Sequence, residues 1–157
     1  MALELAATHP DWVAAVAVVG TAAPLHFSAA AVDVWQNVAC GRAPQPFTPD
    51  QFSPKTEFAL MRELWMEQVK TDPRVRWTDM LACNAYDGAA GLAKIAQPAL
   101  VVAGSDDALA PPAAAESLQR RLPNARFVCL EDAGHCAPTE RADAFNAGLE
   151  ELLARMA

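Results

Sequence analysis

The sequence predicts an α/β fold: a parallel sheet of about three strands with flanking helices, and a helical insertion between the first strand and the second. Three observations carry this prediction. Short, almost wholly apolar runs occupy residues 13–19, 99–103 and 126–130, the pattern of strands buried on both faces of a parallel sheet. Each run leads into a loop that contains glycine: Gly20-Thr21-Ala22-Ala23-Pro24, Gly104-Ser105-Asp106-Asp107 and, a few residues past the third run, Gly134-His135. A helical stretch over about 112–122 separates the second run from the third, as parallel neighbours require of their crossover.

The elements follow in order. Residues 1–8 read as helix, with Leu3 and Ala6 or Ala7 on one face, and His9-Pro10-Asp11 stops it because proline disfavours helix in the residue before it. The first strand follows at 13–19. Residues 27–85 differ in character. Ala31, Val34, Trp35 and Val38, then Phe58, Met61, Leu64, Trp65 and Val69, recur at helical spacing, while Pro44, Pro46, Pro49 and Pro54 break the pattern into pieces. No strand pattern occurs there. The predicted organisation is therefore a core of residues 1–26 and 86–157 with a helical insertion over 27–85. After the second strand, Pro111-Pro112 suits the first turn of a helix. Residues 122–125 turn the chain into the third strand. A final amphipathic helix spans about 140–154, with Phe145, Leu149, Leu152 and Leu153 inward.

Composition removes several function classes. Hydrophobic residues make up 53% and charged residues 20%, which excludes disorder and predicts a substantial core. No uninterrupted apolar run approaches the roughly 20 residues that span a bilayer. Met1-Ala2-Leu3-Glu4-Leu5 has no basic segment leading into a long apolar one, so no secretory signal is expected there. A net charge of −7 without a basic stripe argues against nucleic acid or an anionic membrane as partner. Cys40, Cys83, Cys129 and Cys136 form no Cys-x-x-Cys pair, and three histidines are too few to complete a zinc set. No metal or cofactor is expected. Cys129 falls in a strand expected to be buried, where cysteine acts as a small apolar residue. A reducing cytoplasm is the simplest home for such a chain.

Two residues carry the expected chemistry. Alone, Asp107 reads as a turn aspartate and His135 as one more loop histidine. Their joint placement changes that reading, because both follow buried strands and a helix of fitting length separates them. Neighbouring strands lie about 4.8 Å apart, so a carboxylate just past one strand reaches an imidazole past the next. In that geometry an aspartate holds the histidine tautomer and stabilises the imidazolium that forms. Asp106 is the runner-up for the acid and is expected to point elsewhere. Ser105 is a turn residue too close along the chain to Asp107 to be a separately held nucleophile. Cys136 adjoins His135, and adjacent side chains point different ways. His9 and His26 read as loop residues and Asp87 as a turn cap. Trp12, Trp35, Trp65 and Trp77 read as packing residues, with Trp35 and Trp65 also candidates for lining an apolar substrate pocket.

At these residues the chain resembles the α/β-hydrolase family. Pro98-Ala99-Leu100-Val101-Val102-Ala103-Gly104-Ser105-Asp106-Asp107 is similar to the family's acid strand and loop, which implies that Asp107 is the acid of a catalytic triad. Leu130-Glu131-Asp132-Ala133-Gly134-His135 is similar to its histidine loop, which implies that His135 is the triad histidine. Residues 27–85 are similar to the helical cap of many members.

In this family the nucleophile sits in a Gly-x-Ser-x-Gly turn between a strand and a helix, ahead of the acid and the histidine. Residues 1–6 are similar to the helix after that turn, so the resemblance places the nucleophile upstream of this chain. It implies a carboxyl-terminal part of a hydrolase acting on a small carboxylic ester or lactone, the commonest use of the fold. Haloalkane, epoxide or C–C bond hydrolysis and a catalytically inactive fragment remain as alternatives. The first strand would lack its usual neighbour, leaving an apolar edge open to self-association or to another chain.

Overall fold

The computed structural model describes residues 1–156. Its contacts divide them into two units. One comprises Met1–Ala23, Asp50–Thr56 and the chain from Gly88 onward; the other comprises Pro24–Pro49 and Glu57–Asp87. The short segment 50–56, which the sequence reading left inside the helical insertion, therefore lies with the sheet.

The first unit is built on three parallel strands, β1 (Val16–Val19), β2 (Ala99–Gly104) and β3 (Ala125–Leu130), in the spatial order β1-β2-β3. The register sets Val16 beside Ala99 and Ala99 beside Ala125. All three strands therefore start at one level, β2 and β3 also end together with Gly104 beside Leu130, and the loops that follow them emerge side by side.

Side chains alternate across β2. Ala99, Val101 and Ala103 face a cluster that includes Leu3 and Ala6 of α1 (Ala2–Thr8) and Ala115 and Leu118 of α5 (Pro112–Arg121). Leu100 and Val102 face the other side, against Leu152 of α7 (Ala142–Ala154), with Phe145 and Leu149 at the margin. Period-2 alternation in β2 thus meets helical periodicity on each face, which places this central strand between two apolar layers.

Two expectations about the strands need correction. Only β2 is buried along its whole length; β1 alternates buried and accessible positions, and β3 is mostly accessible. Cys129 is exposed. The cause is position in the sheet, since β1 and β3 are its edges and only the middle strand is covered on all sides. The first strand is also shorter than the apolar run that predicted it. A 3-10 turn at Pro10–Trp12 precedes it, and Val13 to Ala15 are spent on entering the sheet. The last helical stretch is two pieces, the single turn α6 (Ala137–Glu140) and α7, with Arg141 between them at φ −137°.

The second unit contains α2 (Ala29–Ala39), α3 (Phe58–Gln68) and α4 (Pro73–Ala85). Ser28 caps α2 by accepting from the Ala31 amide, and Asp72 caps α4 by accepting from the Arg74 amide ahead of the Pro73 turn, each satisfying an amide that the helix leaves unpaired. Trp35, Val38 and Met80 bury the seam between α2 and α4. The Asn84 side chain bonds both backbone groups of Phe27, accepting at 2.7 Å and donating at 3.0 Å. Among the described residues no helix is long and apolar enough to cross a membrane.

Burial separates leucines of equal size. Leu118 is 1% exposed and Leu153 is 59% exposed. Leu118→Ala should lower unfolding stability by about 2–5 kcal/mol through lost apolar contact and a residual cavity, whereas Leu153→Ala should stay within about 0.5 kcal/mol of wild type. Urea unfolding midpoints of the two variants check the assignment of this face of the sheet as core.

Candidate active site

The loops after β2 and β3 are fastened to each other through their backbones. The Ser105 amide donates to the Leu130 carbonyl at 2.9 Å and the Asp106 amide to the Ala133 carbonyl at 2.8 Å. Gly104 permits this approach, because a Cβ there would stand 2.2 Å from the Gly134 carbonyl oxygen and 2.3 Å from that of Ala133. Asp132 turns the chain between the two levels with φ at +56°, a conformation that aspartate tolerates better than most residues. Its amide is held by the Ser105 hydroxyl at 2.9 Å, and its carboxylate pairs with Lys55 at 2.6 Å and Arg141 at 3.8 Å.

This scaffold brings Asp107 and His135 together. Asp107 Oδ2 lies 2.9 Å from His135 Nδ1. The other oxygen, Oδ1, accepts from the amides of Leu109 and Ala110, each at 2.9 Å. The Asp107 side chain has 0% of its surface exposed and the His135 side chain 36%, so the acid is sealed while the ring keeps an open edge. Burial pushes the Asp107 carboxyl up, but its hydrogen bonds to His135, Ala110 and Leu109 and the attraction of the ring together outweigh it. The group is held below the usual carboxylate range. An ionised carboxylate only accepts hydrogen bonds, so Nδ1 carries the proton toward Asp107. In the neutral ring Nε2 is then the free acceptor. Gly20, at the end of β1 with φ +53°, forms a third wall, for a Cβ there would come 3.0 Å from His135 Nδ1 and 3.4 Å from Asp107 Oδ2.

The remaining candidates have other partners. Asp106 is engaged by the Ser53 hydroxyl at 2.6 Å rather than by His135. His9 lies against Trp12, with ring centroids 4.8 Å apart. Trp35 packs on Val38 and Met80 within the second unit, its ring 4.4 Å from the Arg76 guanidinium. Trp65 donates from Nε1 to the Pro46 carbonyl at 3.2 Å and meets Phe47 edge to face. Among the described residues no cluster of His, Cys, Asp and Glu is arranged to hold a metal ion.

Sequence reasoning missed a support beneath the histidine. The His135 amide donates to the Gln51 carbonyl at 2.7 Å, and a Cβ on Gly134 would stand 2.6 Å from the same oxygen. Glu140, 7% exposed, accepts from the amides of Gly134 and Ser53 and from the Thr56 hydroxyl. The available signal was slight: a lone acid just after Pro138-Thr139, and Ser53-Pro54 among the prolines of a loop.

The comparisons with known proteins agree on the family. The pimeloyl-[acyl-carrier protein] methyl ester esterase of Neisseria meningitidis is 45% identical over 56 residues, which is 36% of this chain and 22% of that protein. The enol-lactonase of Burkholderia xenovorans LB400 superposes with a TM-score of 0.76 at 27% identity, covering 98% of this chain and 61% of that one. A thermophilic esterase of Thermogutta terrifontis gives a TM-score of 0.84 at 22% identity, covering 99% of this chain and 61% of that one, a likeness of fold. This chain thus spans less than two thirds of the length of these solved structures. A family model described as the alpha/beta hydrolase fold matches residues 1–142, and on that match the chain belongs to the α/β-hydrolase family.

Proposed function

We propose that this chain supplies the acid and the base of a hydrolase that cleaves small carboxylic esters or lactones, with Asp107 and His135 acting on a nucleophile contributed from outside these 157 residues. The observation that carries this reading is the 2.9 Å contact between a sealed carboxylate and a partly open imidazole at the ends of adjacent parallel strands, where ligands bind in open α/β sheets. The names of an esterase and a lactonase among the similar proteins support the substrate class. The fold's order of nucleophile, acid and histidine supports a nucleophile on the amino-terminal side.

In the proposed reaction a serine hydroxyl attacks the ester carbonyl and gives its proton to Nε2 of His135. Asp107 holds Nδ1–H and stabilises the resulting imidazolium. The imidazolium then protonates the departing alkoxide oxygen, leaving an acyl-enzyme. Water, deprotonated by the same Nε2, releases the acid and restores the serine. Nothing in the cycle requires a metal or cofactor. Four cysteines outside any disulfide suit a reducing cytoplasm.

The test is turnover of a p-nitrophenyl ester by three proteins: the 157-residue chain, a form extended at its amino end through a Gly-x-Ser-x-Gly segment, and that form with His135→Ala. The short chain should show no more than trace turnover and the extended form should hydrolyse the ester. Asp107→Asn in the extended form should reduce kcat by up to about 10⁴-fold through loss of the correct tautomer. Turnover that survives His135→Ala undiminished would remove His135 from the reaction.

The Asp107 pair also sets a sign for acid stability. Its folded carboxyl titrates below the unfolded value, so its contribution is present above about pH 4 and drains away as the pH falls through the folded value. Stability should therefore fall as the pH is lowered below about 4 in the wild type, and less steeply in Asp107→Asn. Parallel slopes in urea titrations at these pH values would contradict an ionised Asp107.

A second reading, association through β1, rests on its place at the edge of the sheet. The amides of Val16 and Gly20 point inward to the Pro98 and Val102 carbonyls. By strand alternation those of Ala17 and Val19 point outward, a row open to another strand. Sedimentation of the 157-residue chain should show concentration-dependent self-association that Ala17→Lys, at an exposed position, abolishes. A monomer at all concentrations would dismiss this reading.

A further inference from the structure

Glu140 is a buried carboxylate that the proposed reaction leaves unused. It closes the single-turn helix α6, and its two oxygens accept three hydrogen bonds from two separate stretches of chain. Oε1 takes the Gly134 amide at 3.0 Å. Oε2 takes the Ser53 amide at 2.9 Å and the Thr56 hydroxyl at 2.5 Å. These donors bracket the backbone bond from His135 to Gln51 at 2.7 Å. One side of the carboxylate thus grips the residue before the histidine, and the other grips the segment on which that histidine's amide rests. The partners lie 84 and 87 positions away in sequence on one side and 6 on the other, so no local turn replaces the bridge.

We propose that Glu140 is a positioning residue: its carboxylate locks the histidine loop onto residues 51–56 and thereby aims the His135 ring at Asp107. This rests on the reading of His135 as the catalytic base. The chemistry calls for a carboxylate, because all three partners present hydrogens and a carboxylate offers acceptors in every direction. Glutamine fills the same volume but must turn an NH₂ toward either the Gly134 amide or the Ser53 amide, whichever way it flips. One backbone N–H then faces another donor and the clamp opens on that side.

The ring itself reports the effect, and the 157-residue chain suffices for the measurement. Proton–nitrogen NMR of the wild type should show the Nδ1–H of His135 protected by its bond to Asp107. In Glu140→Gln, held well below its unfolding midpoint, that signal should be lost, and hydrogen exchange at the His135 amide should quicken by at least about 10-fold. Leu92→Ala, a core truncation of a 1% exposed side chain, is the control for general destabilisation and should retain the ring signal. Wild-type ring signal and exchange in Glu140→Gln would overturn the proposal. If Glu140→Gln does not fold, Thr56→Val carries the test, since it removes one donor and leaves the carboxylate. Its His135 amide should exchange about 10-fold faster, and an unchanged rate would overturn the proposal. Ester turnover enters none of these readouts, so failure of the catalytic reading and failure of this one are distinguishable.

Discussion

The close approach of two backbones is the constraint on which the site depends. The loop after β2 lies so near the loop after β3 that a single methyl group on Gly104 would stand 2.2 Å from a carbonyl oxygen of the other, well inside any contact that packed atoms adopt. Gly134 imposes the same condition on its other side, against the backbone of residues 51 and 52. Three layers of main chain are thus stacked without intervening side chains. The outer two loops of sheet and support fix the middle one, which bears His135. Side chains hop between rotamers, but backbone joined to backbone by hydrogen bonds of 2.7–2.9 Å has little room to move. Precision at the ring comes from this stack, and the Asp107 contact is its last step.

Asp107 and Glu140 show two uses of a buried acid. Taking a carboxylate out of water is costly unless its lone pairs are met by donors. Asp107 meets that demand with the Leu109 and Ala110 amides on one oxygen, leaving the other for His135. Because the amides already offset much of the desolvation, the ring bond is available to choose the tautomer rather than to neutralise a stranded charge. Glu140 turns every oxygen to backbone or hydroxyl donors and none to a titrating partner. The first acid therefore engages an imidazole and the second couples segments of chain.

These differences explain what was legible in the sequence. The strands and the two loops declared themselves because apolar runs and glycines are local signals, and the parallel crossover left their ends side by side. Those signals do not separate Asp107 from its neighbour Asp106; the resemblance to the family's acid loop pointed to Asp107, and Asp106 is engaged by Ser53. The burial of β3 was misjudged because an apolar run looks the same at the centre of a sheet and at its edge. The placement of Cys129 followed that error. Residues 50–56 were out of reach for a different reason. Their prolines read as loop, and their partners Asp106, Asp132, His135 and Glu140 lie in another part of the sequence. No periodicity encodes a contact of that separation.

That distance along the chain bears on how the site is assembled. Residues 24–49 and 57–87 form their own unit, yet the seven residues between them belong to the unit that holds the sheet and carry the histidine's support. The chain must therefore return to the first unit midway through the second. This return places Ser53, Thr56 and the Gln51 carbonyl where neither local turn chemistry nor strand pairing would supply them. A lone histidine loop after an edge strand such as β3 would be free to fray, since edge positions are the least covered part of a sheet. Backed by 50–56 and tied through Glu140, it becomes the middle of a three-layer stack. The support is thus what turns a surface loop into a mount for an imidazole, and its cost is two additional passages of the chain between units.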